Sequence, residues 1–126
     1  PSAEIEVQGG RMLTVPKSLK GVGVFSFKRL CAEARGAQDY LAIARHYHSV
    51  IIVGIPVLSK ENRNEAARFV TLIDALYEAK TKFVCSAEAL PLALSPEGDT
   101  AFAFQRTVSR LMEMQADDYI AAHHKE

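Results

Sequence analysis

The feature that most constrains this chain is a strand–helix–strand grammar in its second half. Ser49-Val50-Ile51-Ile52-Val53 is an uninterrupted β-branched run after its first residue. Such a run predicts a strand buried on both faces, as in a parallel sheet covered by helices. Pro56 closes it. Asn62, with Glu65 three residues later, is a helix-start signal. From there Ala66, Phe69, Val70, Ile73, Leu76 and Tyr77 form one apolar stripe, which predicts a helix from about Arg63 to Ala79. Lys82-Phe83-Val84-Cys85 then reads as a second buried strand. The unit is about the minimum size for a right-handed parallel crossover.

The first half is less regular. Ile5 and Val7 alternate with polar neighbours, Gly9-Gly10 follows, and Arg11 to Val15 is again strand-like. A Gly-Gly pair tolerates the positive φ of a tight turn, so a β-hairpin is expected. Pro16 should end the pairing, and Val22 to Phe27 reads as a third strand of a small β-meander. A helix starting at Ser26 or Phe27 is expected next, through Leu30, Cys31 and Ala34, stopped by Gly36. Gln38 to Tyr47 predicts another. After the second strand comes a loop marked by Pro91, Ser95, Pro96 and Gly98. A single long helix from Phe102 or Phe104 to about Ala122 ends the chain. The expected organisation is one domain over 1–126. Residues 1–47 hold the meander and two short helices, and 48–126 hold the strand–helix–strand unit and the terminal helix.

At 126 residues and 13.9 kDa the chain can bury a core without a disulfide or metal staple. Fifteen basic residues balance fifteen acidic ones. That balance argues against duplex nucleic acid or an anionic membrane as the dominant partner. The longest strongly apolar run, Val50 to Val53, is far too short to span a bilayer. Cys31 and Cys85 lie in apolar surroundings outside any CxxC, so both are expected to be buried free thiols in a reducing compartment. The chain opens on Pro1 without a leader, which suggests a piece of something longer.

A crossover unit invites a search for a nucleotide site. There is no GxxxxGK[ST], and Gly21-Val22-Gly23 fails as a GxGxxG because position 26 is Ser. No Asp-Glu follows Val50–Val53 to hold Mg²⁺. His46 and His48 lack a third metal ligand and read as surface or capping residues, so no metal site is expected. His123 and His124 read as partners of their own helix's C-terminal dipole. Ser86-Ala87-Glu88 is placed just beyond the second strand, at the sheet edge where α/β proteins bind ligands. Capping of the next helix is the plainer role for Ser86 or Glu88. Arg106, Arg110, Glu113 and Asp117 make one polar stripe. Arg106 and Arg110 repel one turn apart, and Arg106 lies near the helix start, where a cation is disfavoured. They therefore call for a partner: a carboxylate, another subunit or a phosphate. Asp39, Asp74 and Glu78 are the in-chain candidates, and an internal ion pair is the plainest outcome. Asp39 reads as a first-turn acid of its helix, and Tyr40 as core.

Several strings, in order, carry a resemblance. They are Gly36-Ala-Gln-Asp39-Tyr40-Leu-Ala-Ile-Ala, Ile55-Pro56, Arg68-Phe69-Val-Thr-Leu-Ile73-Asp74-Ala-Leu-Tyr77-Glu78, Ser86-Ala87-Glu88, and Phe104-Gln-Arg106-Thr107-Val-Ser109-Arg110-Leu111-Met-Glu113-Met114-Gln115. Together they resemble the C-terminal part of the ZapE-like AAA+ ATPase family, from about Gly10 to Tyr119. The resemblance implies an α/β fold with a small parallel sheet, a P-loop/AAA+-like three-layer half. It also implies a parent that binds Mg²⁺ and ATP and hydrolyses ATP, in bacterial cell division or mitochondrial protein quality control. In that family the phosphate loop lies upstream of the matched region, so this stretch would hold no cofactor itself and have no catalytic residues. The paired arginines expected before Phe69 are here Ala67-Arg68, which puts any role of the first in doubt.

The expected function is therefore assembly or partner contact within such an ATPase. Implied partners are the rest of the ATPase chain, further copies in a homo-oligomer, and division or quality-control proteins. The implied location is the cytoplasm, with peripheral association at the inner membrane or division site left open. Arg106 and Arg110 are candidates for phosphate or inter-subunit contact. Asp39, Tyr40, Arg68, Asp74, Ser86 and Glu88 are candidate motif positions. The alternative is a stand-alone protein-interaction module with no nucleotide role. A small independent enzyme is the weakest option, because no acid/base or nucleophile/base pair is visible.

Overall fold

The structure, a computed structural model, describes residues 1–33, 35–94 and 101–125, apart from the side chains of 60, 92, 101 and 103. β1 (Ala3–Val7) and β2 (Arg11–Val15) form an antiparallel hairpin. Gly9 and Gly10 have φ of +94° and +80°, the left-handed conformation the turn requires. Ile5, Val7, Leu13 and Val15 point inward, and their alternation with exposed neighbours is the period of two read from the sequence.

A four-stranded sheet has the order β3-β4-β5-β6, with β3 (Lys17–Leu19), β4 (Val22–Ser26), β5 (Ser49–Ile55) and β6 (Lys82–Ala87). β3 and β4 are antiparallel; β4, β5 and β6 are parallel. The fold is thus α/β with a small parallel sheet, as expected. The strand at 22–26 does not extend the first hairpin into a meander, however. Pro16 interrupts pairing after β2, β3 and β4 make a second hairpin, and β4 enters the parallel sheet beside β5.

α1 (Ala37–His46) follows a short π-helical turn at Lys28–Ala32. That turn stands where a helix from Phe27 was expected, and Ala34 lies outside the described residues. α2 (Arg63–Glu78) crosses from β5 to β6 and buries Ala66, Phe69, Val70, Ile73 and Leu76, as the stripe requires. The Phe69 ring stacks on Phe104 at 6.1 Å and tilts against Phe27 at 6.0 Å. Aromatic pairs of this kind add about 0.5–1.5 kcal/mol each beyond area burial.

Among the described residues, one face of the sheet is covered by the core and the other is left largely open. Phe25, Val50 and Ile52 are buried in the core with Tyr40, Ile43, Phe69 and Ile73. On the other face Val24, Ile51 and Val84 lie side by side across three strands. Val84 is 59% exposed and Val53 44%, so β5 is not buried on both faces. β6 is not a buried strand either. Among the described residues it is the last strand of the sheet, and Val84 to Ala87 are exposed. Cys31 is buried as expected, but Cys85, on this strand, is exposed.

The long terminal helix is two helices, α3 (Ala101–Glu113) and α4 (Asp117–Ala121). The chain is extended at Ala116, and Asp117 and Asp118 occupy the first turn of α4, where the helix dipole favours acids. The break turns Tyr119 inward, where its hydroxyl donates to the carbonyls of Leu76 at 3.1 Å and Thr81 at 2.7 Å. The Ser95, Pro96 and Gly98 loop lies outside the described residues.

Candidate functional site

α2 and α3 pack together and bring the charged candidates into one cluster. Arg106 Nη2 donates to Asp74 Oδ2 at 3.1 Å, and Arg110 Nη1 donates to Asp74 Oδ1. One carboxylate therefore takes both arginines, one on each oxygen. Of the in-chain partners considered, Asp74 is the one used. Arg110 also lies over the Tyr77 ring, with its guanidinium carbon 4.8 Å from the centroid. The Tyr77 hydroxyl donates to Glu113 Oε2 at 2.6 Å, and that bond raises its pKa. Lys80 covers the same ring at 4.7 Å. Arg106 remains 55% exposed, whereas Arg110 is only 24% exposed. Arg110 is held in place; Arg106 faces solvent.

A second cluster gathers Asp39, Tyr40 and Arg68 around the entry to α1. Asp39 Oδ2 accepts from the Gly36 N–H at 2.9 Å, satisfying a free donor at the helix start. Its Oδ1 lies 2.7 Å from Arg11 Nη2 on β2, tying the first hairpin to the helix. Tyr40 is fully buried and donates to the Leu30 carbonyl at 2.6 Å. Arg68 Nη1 donates to the Cys31 carbonyl at 2.8 Å. Burial pushes the Cys31 thiol up to about 12, so it is no nucleophile at neutral pH. Together these groups tie the α1 entry to β2 and to the turn at Lys28–Ala32, and that turn to α2.

Ser86 lies inside β6 rather than beyond it. Its hydroxyl accepts from the Gly54 N–H at 2.9 Å. Gly54, at φ +81°, sits where the β5–β6 register slips, and the hydroxyl takes a donor that the ladder leaves unpaired. Glu88 is exposed at the rim of an apolar cavity of about 570 Å³ at the carboxyl end of β6. Phe83, Cys85, Leu111 and Met114 line it, and burial against that lining raises the Cys85 pKa.

Sequence reasoning missed the way the C-terminal segment is tied down. His124 Nε2 meets the Ala44 carbonyl at 2.6 Å, in the last turns of α1 rather than on its own helix. Thr81 Oγ1 donates to the same carbonyl at 2.9 Å, and the Lys125 N–H donates to the Ala79 carbonyl. Lys82 Nζ donates to the Tyr119 and Ala122 carbonyls at the end of α4. The one available signal was a Lys beside a helix end, a common cap for free carbonyls.

Among the described residues no group of three His, Cys, Asp or Glu could hold a metal ion. Asp39 and Asp74 each face arginines. Both aspartates are thus committed to arginine partners rather than open to a Mg²⁺ ion. Among the described residues no helix is long and apolar enough to cross a membrane.

The chain is similar to known proteins over most of its length. The sequence pattern of the AFG1-like ATPase family matches residues 1–123. "Cell division protein ZapE" of Escherichia coli K12 is 43% identical over 100 residues, 79% of this chain and 26% of that protein. "Uncharacterized protein C115.02c" of Schizosaccharomyces pombe is 37% identical over 145 residues, 93% of this chain and 32% of that protein. "Lactation elevated protein 1 homolog B" of Danio rerio is 34% identical over 142 residues, 87% of this chain and 28% of that protein. The matches therefore span between a quarter and a third of each relative's length. No solved structure matches. With a match over nearly its whole length, the chain belongs to the AFG1-like ATPase family.

Proposed function

We propose that this chain completes the body of an AFG1-like ATPase and carries contacts to subunits or partners, rather than the ATPase centre. The parent binds Mg²⁺-ATP and hydrolyses it, in the cytoplasm, in the service of cell division or protein quality control. The printed name of the Escherichia coli relative supports the first of these settings. The sequence holds no GxxxxGK[ST], which fits a stretch outside the nucleotide site. The observation that carries the reading is the uncovered sheet face. Val53 and Val84 are exposed there, on the parallel strands β5 and β6, and parallel strands are almost always covered on both sides.

Arg106 is the arginine available for a further partner. In an assembled parent it would reach a phosphate or a neighbouring subunit, while Arg110 and Asp74 fix its position. Further copies of the ATPase are the expected partners for that contact.

Calorimetric titration of the 126-residue chain with Mg²⁺-ATP, alongside a turnover assay, tests the reading. No binding and no turnover are expected for the chain alone, with turnover by a full-length ATPase carrying it. Tight binding by the chain alone would overturn the reading. Unchanged turnover of the full-length protein after Arg106→Ala would remove the arginine from it.

A further inference from the structure

The two edges of the four-stranded sheet are built differently. β3 is three residues long, is antiparallel, starts at Lys17 and turns at Lys20. Shortness and lysines are the usual ways of blunting an exposed edge. β6 is six residues long and runs parallel to β5. After Lys82 it reads Phe-Val-Cys-Ser-Ala, with no charge and no proline. Among the described residues nothing pairs with its outer side. Left open, such an edge is a site of aggregation.

Side chains of β6 alternate between two faces, with Lys82, Val84 and Ser86 on the uncovered one and Phe83, Cys85 and Ala87 on the other. Val84, on the uncovered face, continues the row from Val24 and Ile51. On the opposite face Phe83 and Cys85 open onto the cavity of about 570 Å³, closed on its far side by Leu111 and Met114. A strand laid along β6 would place one set of side chains beside Val84 and the alternate set into that cavity. Main-chain hydrogen bonds plus a pocket for alternate side chains is the chemistry of strand addition.

We propose that β6 is an internal strand of the working sheet, and that its missing neighbour is a strand of the same ATPase polypeptide. The added strand has an apolar residue on each face at the level of Val84 and comes from the part of the protein outside this span. This rests on the reading of the chain as part of an AFG1-like ATPase, and names where the rest of the body joins it. The length of chain available is ample, since the matched stretches are only 26%, 32% and 28% of the three relatives. Val84 at the centre of one face and the apolar cavity on the other favour a strand with an apolar residue on each side at that level over a soluble peptide, whose polar face would be lost on one side.

The test compares the 126-residue chain with a full-length chimera in which it replaces the matched region of the Escherichia coli relative. Amide hydrogen exchange is read at residues 83–87, with thiol labelling at Cys85 and ATP turnover alongside. In the chimera, exchange at 83–87 should slow on the order of 100-fold or more, and Cys85 should become protected. Val84→Lys should abolish that protection while leaving the melting temperature of the isolated chain unchanged. A chimera that turns over ATP but exchanges at 83–87 like the isolated chain overturns the proposal and leaves the functional reading standing. A protected edge without turnover does the reverse. Concentration-dependent protection of the isolated chain, with a dimer by light scattering, would assign the edge to a second copy and overturn it. If the chimera does not fold, the labelled chain is titrated with overlapping peptides covering the rest of that relative. Resonance shifts at 83–87 that Val84→Lys removes would support the proposal, and their absence from every peptide would overturn it.

Discussion

Asp74 on α2 accepts a hydrogen bond from Arg106 on α3 at 3.1 Å, with its other oxygen committed to Arg110. The charge of one carboxylate thus offsets a repulsion between two cations on the neighbouring helix. Asp74→Ala should remove both bonds and restore that repulsion, at a cost of about 1–2 kcal/mol after screening at this half-exposed site. Arg106→Ala, at the more exposed end, should cost no more than about 0.5 kcal/mol. Urea unfolding of both variants checks the order. An equal cost for the two would show that the pairs act independently of the repulsion.

Asp39 is buried, and it has two partners on different elements. Asp39→Ala removes the Gly36 cap and the Arg11 pair together, and should cost about 2–3 kcal/mol. Arg11→Ala leaves the cap in place and loses a half-exposed cation, so about 1 kcal/mol is expected. A double-mutant cycle of the two should give a coupling close to the Arg11→Ala cost. Zero coupling would mean that the 2.7 Å contact contributes nothing.

Stability should fall in alkali. Burial raises the Cys31 thiol from 9.0 to about 12, and raises the Tyr40 and Tyr119 hydroxyls above their usual 10.0. The folded state therefore holds these protons when the unfolded chain has released them. Below about pH 9 both states are protonated and stability is unaffected. Between about pH 9 and 12 the unfolded state binds fewer protons, and stability is lost as pH rises. Melting temperatures measured from pH 7 to 11 should be flat and then drop. Tyr40→Phe, which removes one such proton, should flatten the drop even if it lowers the starting value. At pH 8 a thiol reagent should label Cys85 in the native chain and reach Cys31 only after unfolding.

Ser86 and Gly54 should behave as a local pair. Ser86→Ala leaves the Gly54 N–H without its acceptor at a solvent-exposed register slip. Because water can replace the hydroxyl there, the cost should be no more than about 1 kcal/mol. Gly54→Val should cost more, about 1–3 kcal/mol, because a β-branched residue resists φ of +81°. Reversed magnitudes would show that the hydroxyl, not the backbone conformation, holds the slip.

How much of this was legible can be argued strand by strand. α1 and α2 were readable to within about a residue, because their apolar stripes are buried by other elements of the same chain. β5 and β6 were readable as strands, and their pairing was readable from the crossover length. Their exposure was not. An apolar run announces that it is to be buried, and it does not say whether its cover lies in this chain. The break before Asp117 was hidden for the opposite reason. Local helix preference continues through Met114 and Gln115, and only the two carbonyl partners of the Tyr119 hydroxyl require the chain to turn. The electrostatic call for a partner at Arg106 and Arg110 was legible, while the choice of Asp74 needed the packing of α3 on α2.

The docking of Lys125 and His124 onto the last turns of α2 and α1 fixes the C-terminal segment at one end of the molecule. Those turns feed directly into β6 and β5, so the segment is anchored at the amino edge of the parallel strands. The cavity rim and Glu88 stand at the opposite, carboxyl edge. A fluorophore or affinity handle attached beyond Lys125 would therefore sit on the far side from that rim. Such a handle could immobilise the protein while leaving the carboxyl edge free to be probed.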